Sequence, residues 1–212
     1  AMRRILATNA QLEGDNPDRI LDWIRMAILF RITGHTPAYL SRQTAPPNQP
    51  TPTLSEQRRR NQRTGLPAPE RDLRKIVLSR SRDFLRDGCV PDTQGHRLTV
   101  GPAWDTPWIA NASVDLVLTS PPFADVVDYK RDNWLRAWFA RVDLGDVAFS
   151  NHRSLPDWSA MIRRTLKEQM RIVRPGGYIA MEVGEIHKGT VHLERLVWSA
   201  AKGLPCHRIG VI

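Results

Sequence analysis

The chain has 212 residues, 41% of them hydrophobic, with 31 Lys and Arg against 22 Asp and Glu, which leaves a net charge of +9. This length supports one domain with a real core, or one domain plus an appendage. The arginine-heavy excess points to a polyanionic partner, nucleic acid ahead of an anionic membrane surface.

Cys89 and Cys206 stand far apart in no metal-ligand spacing, which argues against a disulfide framework and a zinc site and fits a reducing cytosol. No signal peptide and no apolar run of bilayer length is present, so a cytoplasmic chain with no membrane partner is expected. Ala1 ahead of Met2 reads as the scar of a cleaved expression tag.

Asn16-Pro17 predicts the start of a helix, with Asn16 at the N-cap. Ile20, Ile24, Ala27, Ile28 and Ile32 share one face and Gly34 ends it, while Arg19, Arg25 and Arg31 fall on a solvated side. Residues 35–69 are punctuated by Pro37, Pro46, Pro47, Pro50, Pro52, Pro67 and Pro69. They read as a long extended segment interrupted by a short helix over Leu54 to Gln62. Arg58, Arg59, Arg60 and Arg63 cluster there; they either track phosphates or form a solvated charge run. Pro69 opens a helix with Leu73, Ile76, Val77 and Phe84 inward and Arg71, Arg74, Lys75, Arg80, Arg82 and Arg86 outward, ended by Gly88.

After a loop over 89–96, Arg97 to Val100 reads as a short strand. Val114 to Thr119 follows as a strand covered on both faces, from its nearly continuous apolar run. Asp132-Asn133 caps a helix with Trp134, Leu135, Trp138 and Val142 on a wide apolar face. Pro156 opens a longer helix with Trp158, Met161, Ile162, Leu166 and Met170 inward. Arg174-Pro175-Gly176-Gly177 breaks it, and Tyr178 to Val183 is the next strand. Thr190 caps a last helix with Leu193, Leu196, Val197 and Ala200 inward, and Cys206 to Ile212 begins a further strand. Strands alternating with helices from Arg97 onward predict an α/β domain over 97–212 with a mainly parallel sheet, preceded by a helical and Pro-rich basic region over 1–96.

Chemistry concentrates where Val114–Thr119 runs into Ser120-Pro121-Pro122-Phe123. Each proline fixes φ and lacks an N–H, so the turn is rigid. It lies at a strand's carboxyl end, where open α/β sheets bind ligands. The amino group of cytosine or adenine is a poor nucleophile because its lone pair is delocalised into the ring. Two acceptors for its two hydrogens localise that pair. The Ser120 hydroxyl and the Pro121 carbonyl supply such acceptors, and Phe123 offers a ring on which a flipped base stacks.

On these residues the chain resembles the amino-group DNA methyltransferases, whose motif is (Asp/Asn/Ser)-Pro-Pro-(Tyr/Phe/Trp). Thr119-Ser120 before the prolines is similar to the N4-cytosine members, which places cytosine N4 ahead of adenine N6. Met170 to Tyr178, with its Arg-Pro-Gly-Gly, resembles the turn before the fifth strand of S-adenosylmethionine-dependent methyltransferases. Asp125 to Trp134, and more faintly Pro46-Pro47-Asn48-Gln49 with the following arginines, resemble segments of bacterial members. The resemblance implies a Rossmann-like class I methyltransferase sheet and S-adenosylmethionine as cofactor. DNA would be the partner, held by Arg58, Arg59, Arg60 and Arg63. It implies Ser120, Pro121, Pro122 and Phe123 as catalytic, Asp128 and Tyr129 as substrate-binding, and Thr119, Gly101, Asp105 and Glu182 as cofactor-binding. No metal is implied. Glu185, His187 and His192 lie nearby, the histidines reading as surface residues.

The family's glycine-rich cofactor loop is missing, and Gly101 is followed by Pro102 with Asp105 further on. The expected sheet is therefore incomplete, and the chain reads as a fragment, a split subunit or a remnant. An incomplete sheet leaves an edge to be covered by a second copy, a partner subunit, or residues 1–96. Three functional readings stay open: a DNA amino-methyltransferase, a non-catalytic nucleic-acid-binding remnant, and an RNA methyltransferase.

Overall fold

The computed structural model describes residues 19–34, 36–41, 51–65, 70–88, 97–124, 127–150, 152 and 154–211. Asn16-Pro17, the stretch from Pro46 to Pro50, Pro67, Pro69, the 89–96 loop with Cys89, and Asp125 lie outside the described residues. The protein is mixed α/β and divides into two compact units, one of residues 1–94 with 129–149 and one of residues 95–128 with 150–212. The first holds 20 Lys and Arg against 13 Asp and Glu, so it carries 7 of the 9 net positive charges.

Helices α1 (Arg19–Leu29), α2 (Leu54–Thr64), α3 (Leu73–Leu85) and α4 (Tyr129–Ala140) belong to the first unit. Its core is Ile28, Ile32, Leu40, Ile76 and Phe139, with Ile24, Leu73, Val77 and Leu135 packed against it. Helical spacing brings the α1 stripe inward as expected, apart from the exposed Ile20. Arg31 departs from the expected solvated face: it pairs with Asp83 at 2.8 Å, and its guanidinium lies 4.9 Å from the centre of the Tyr39 ring. Likewise Arg80 on α3 lies 4.0 Å over the Phe84 ring rather than in solvent.

Two helix starts differ from expectation. The Asp72 carboxylate accepts from the Lys75 N–H at 3.1 Å, so α3 begins at Leu73 and not at Pro69. Helix α4 begins at Tyr129, ahead of the expected Asp132-Asn133 cap. Ala137 and Phe139 are buried and Leu135 packs against the core, while Trp138 and Val142 stay exposed, so the apolar face is narrower than expected.

The second unit holds β1 (Val114–Thr119), α5 (Leu155–Ile172), β2 (Val173–Met181), β3 (Glu185–Ile186), β4 (Val191–His192) and α6 (Leu193–Ala201). Ser154 caps α5 and accepts from the Asp157 N–H at 3.2 Å, and Pro156 sits in the first turn, where its missing N–H leaves no bond unmade. The α5 stripe of Trp158, Met161, Ile162 and Leu166 packs with Ala124, Ile186, Leu193, Val197 and Ala200 into one core. Burial of each large apolar side chain there contributes roughly 1.5–3 kcal/mol.

Strands β1 and β2 pair in parallel, with Leu116 opposite Tyr178, Val117 opposite Ile179, Leu118 opposite Ala180 and Thr119 opposite Met181. The register jumps between Val114, which faces Val173, and Leu116. The chain from Arg174 to Gly177 thus bulges out of β2 instead of separating helix from strand. Gly176 turns it with φ +80, and a Cβ on Gly177 would lie 2.8 Å from the Asp115 carbonyl oxygen.

The expectation that β1 is covered on both faces fails. Val117, Thr119, Ile179 and Met181 are half-buried on the side of the core, whereas Leu116, Leu118 and Tyr178 are 55%, 77% and 59% exposed. The apolar run conceals ordinary period-two alternation, with one face covered.

The expected strands at Arg97–Val100 and Cys206–Ile212 do not form among the described residues. Leu98, Val100, Ile209 and Val211 are exposed, and an extended segment becomes a strand only where a neighbouring ladder takes its N–H and C=O groups. Thr190 does not cap α6. Its hydroxyl donates to the His187 carbonyl at 2.9 Å inside the β3–β4 hairpin, and His192 occupies the cap position.

Candidate functional site

The Ser120–Phe123 turn stands at the carboxyl end of β1, beside the end of β2. The Glu182 N–H donates to the Thr119 carbonyl at 2.8 Å, which ties the two strand ends together. Trp158, fully buried on α5, donates its Nε1–H to the Pro122 carbonyl at 2.7 Å. Ala124, also fully buried, seats the far side of the turn in the core. Four consecutive residues are thus held by a backbone bond before them, an indole bond within them and a buried alanine after them.

Of the two proline carbonyls, Pro122's is occupied by Trp158. Among the described residues no hydrogen bond engages the Ser120 hydroxyl or the Pro121 carbonyl. Ser120 is exposed, and Phe123 is 37% exposed. The Phe123 ring edge lies against Gly184, where a Cβ would come within 3.1 Å of it. The turn therefore offers two oxygen acceptors and a partly exposed aromatic ring on a backbone held by the Trp158 and Glu182 bonds.

Thr119 and Glu182 adjoin this turn, and Glu182 is exposed. The other two residues expected at a cofactor lie in a separate turn of the same unit. Gly101 is exposed, and a Cβ at that position would lie 3.0 Å from the Trp108 ring. Asp105, exposed, donates its N–H to the Pro102 carbonyl at 3.1 Å.

That separate turn is held by a polar hub which sequence reasoning missed. Arg171, near the end of α5, donates to both carboxylate oxygens of Glu168, to the Ile109 and Thr106 carbonyls at 2.9 Å each, and to the Asn111 side chain at 2.5 Å. Thr106 donates to Glu168 through its hydroxyl and its N–H. The Arg171 guanidinium, with the Thr106 hydroxyl, holds the Glu168 carboxyl down at about 2. The visible signal was an acid and an arginine three positions apart on one helix, a spacing that reads first as an ordinary surface pair.

Glu185 is engaged by His192, whose Nδ1 lies 2.9 Å from its carboxylate, and Glu194 lies 3.8 Å from the same nitrogen. These residues close the β3–β4 hairpin onto α6. Asp128 is exposed at the end of its stretch in the second unit, while Tyr129 opens α4 in the first.

Arg58, Arg59, Arg60 and Arg63 belong to the first unit, all exposed on α2. Arg59, Arg60 and Arg63 line, with Glu56, an open hollow of about 370 Å³. Among the described residues none of the four arginines forms an ion pair. Glu56 is already engaged by Thr53 and by Arg131, and the Thr53 backbone and hydroxyl hold its carboxyl below the usual range.

No group of three or more His, Cys, Asp and Glu suited to a metal occurs among the described residues, and none of their helices is long and apolar enough to cross a membrane. Comparison with protein-family models, curated proteins and solved structures gives no match to this chain.

Proposed function

We propose that the second unit carries the target-base half of an S-adenosylmethionine-dependent DNA amino-methyltransferase, with cytosine N4 favoured over adenine N6. The observation that carries this reading is the Ser120–Phe123 turn. Its two unengaged acceptors stand on consecutive residues, while the neighbouring Pro122 carbonyl is consumed by Trp158. The parallel β1–β2 pair, linked by a crossover that includes α5 and has the turn at its carboxyl end, supports a Rossmann-like sheet. In this reading the Ser120 Oγ and the Pro121 carbonyl accept the two amino hydrogens of a flipped base. Electron density then returns from the ring to the nitrogen, and Phe123 stacks on the base.

The test compares methyl transfer to duplex DNA with DNA binding in the full chain. Ser120→Ala should lower transfer by about 100-fold, as loss of an oxyanion-type partner does, and change binding less than about twofold. Equal loss of both would sink the role given to Ser120.

A second reading, a nucleic-acid-binding protein without methyl transfer, is favoured by the exposed Arg58, Arg59, Arg60 and Arg63 of α2, which need no cofactor to meet phosphates. Calorimetry with S-adenosylmethionine separates the two. Heat of binding supports the enzyme, and its absence at millimolar ligand supports the binding protein.

A further inference from the structure

Helix α2 is a folded element that buries nothing. None of its residues is buried, and a helix polar on every side gains no stability from packing. It is instead secured by local devices. Thr53 and Glu56 form a reciprocal capping box, Gly65 closes the other end in the left-handed conformation with its N–H on the Asn61 carbonyl at 3.0 Å, and Gln57 donates to Asn61 at 2.9 Å.

The helix is also anchored at one end. Arg131 of α4 pairs with Glu56 at 3.2 Å, Trp134 donates to the Pro52 carbonyl at 3.2 Å, and the Thr51 hydroxyl donates to the Asp132 carbonyl at 3.1 Å. All three anchors lie at the amino-terminal end, so the remaining turns project from α4. At about 100° per residue, Arg58 and Asn61 lie opposite Glu56 with the half-buried Gln57 flanking Asn61, while Arg59, Arg60 and Arg63 gather around Glu56.

We infer that α2 is the element with which this chain reads duplex DNA. Gln57, Arg58 and Asn61 meet base edges in the major groove, and Arg59, Arg60 and Arg63 hold phosphate oxygens. A helix about 10–12 Å across fits the B-form major groove, and arginine, asparagine and glutamine are the side chains that pair bidentately with guanine and adenine there. The A-form major groove of RNA is too deep and narrow for it. A membrane surface would need an apolar face, and α2 offers only Leu54. The charge matches as well, since the unit that bears α2 holds most of the chain's positive excess. This inference deepens the proposed function by resting on its DNA substrate, and it does not depend on methyl transfer.

The experiment selects duplexes from a randomised DNA pool with the full chain and measures binding against salt. Arg59→Gln/Arg60→Gln/Arg63→Gln should weaken binding to every duplex at least tenfold and flatten the salt slope by about 2.7. Gln57→Ala/Asn61→Ala should leave the salt slope unchanged, because neither side chain is charged, yet reduce preference for the selected sequence at least about fivefold. The inference is overturned if the triple variant keeps the parental slope, if the double variant selects the same sequence as strongly, or if structured RNA displaces duplex at equal concentration. Selection that survives while methyl transfer is absent from the parental chain would sink the proposed function alone.

Discussion

The indole of Trp158 donates to the carbonyl of Pro122, joining the first turn of the longest helix in the second unit to the middle of the proline turn. The bond explains how a turn without proline N–H groups is kept in place from inside the core. Trp158→Phe preserves most of the packing and leaves that carbonyl without a donor. It should destabilise the chain by about 1–3 kcal/mol, measured by urea unfolding, and Trp158→Ala by about 3–5 kcal/mol. If Trp158→Phe unfolds at the parental midpoint, the bond does not hold the turn.

Glu168 gives stability a defined acid limb. Its folded pKa, about 2, lies below its ordinary value of 4.5, chiefly through Arg171 and then Thr106. The carboxylate's contribution is therefore complete above 4.5 and is lost as the pH falls from there towards 2. Glu56, also lowered, adds a loss of the same sign. Unfolding free energy measured across this range should fall for the parental chain. The fall should be shallower for Glu168→Gln, with the remaining slope including the Glu56 contribution.

The β2 bulge depends on its two glycines for different reasons. Gly177→Ala would place a methyl 2.7 Å from Val173 Cγ1 and 2.8 Å from the Asp115 carbonyl, and should cost about 1–3 kcal/mol. Gly176→Ala meets no neighbour but holds φ at +80, and should cost about 1–2 kcal/mol. Gly210→Ala, with neither constraint, should be neutral in the same denaturation assay.

Thr53→Ala removes one side of the capping box and should cost α2 about 1 kcal/mol. Because no buried side chain compensates, amide exchange over Leu54–Thr64 should accelerate while the core helix α5 is unaffected. Unchanged exchange in α2 would show that its anchors on α4 suffice.

Where local chemistry and packing agreed, the fold was legible. The α5 stripe with Pro156, the short helix from Leu54 and the strand from Val114 all stand where spacing and breakers place them. What was not legible depended on partners distant in sequence. Leu98 and Ile209 have strand-like neighbours in sequence but no ladder to join among the described residues. Leu116 and Leu118 read as core because an apolar run does not reveal which side a helix will cover. Of the candidate site, the Ser120–Phe123 turn was visible as a motif, and its Trp158 support was not, since a buried tryptophan reads as packing alone. The Arg171 hub draws on 106, 109 and 111, a convergence that no local pattern encodes.

The bulge from Arg174 to Gly177 also separates two tolerances. Helix α5 passes into β2 between Ile172 and Val173 with no connecting loop, so any error in helix length would otherwise be transmitted to the strand pairing. The bulge supplies slack at that point. A residue inserted or deleted among the four would alter the size of the excursion and leave Thr119 opposite Met181. The height of the proline turn is thereby insulated from changes in the helix that feeds its neighbouring strand.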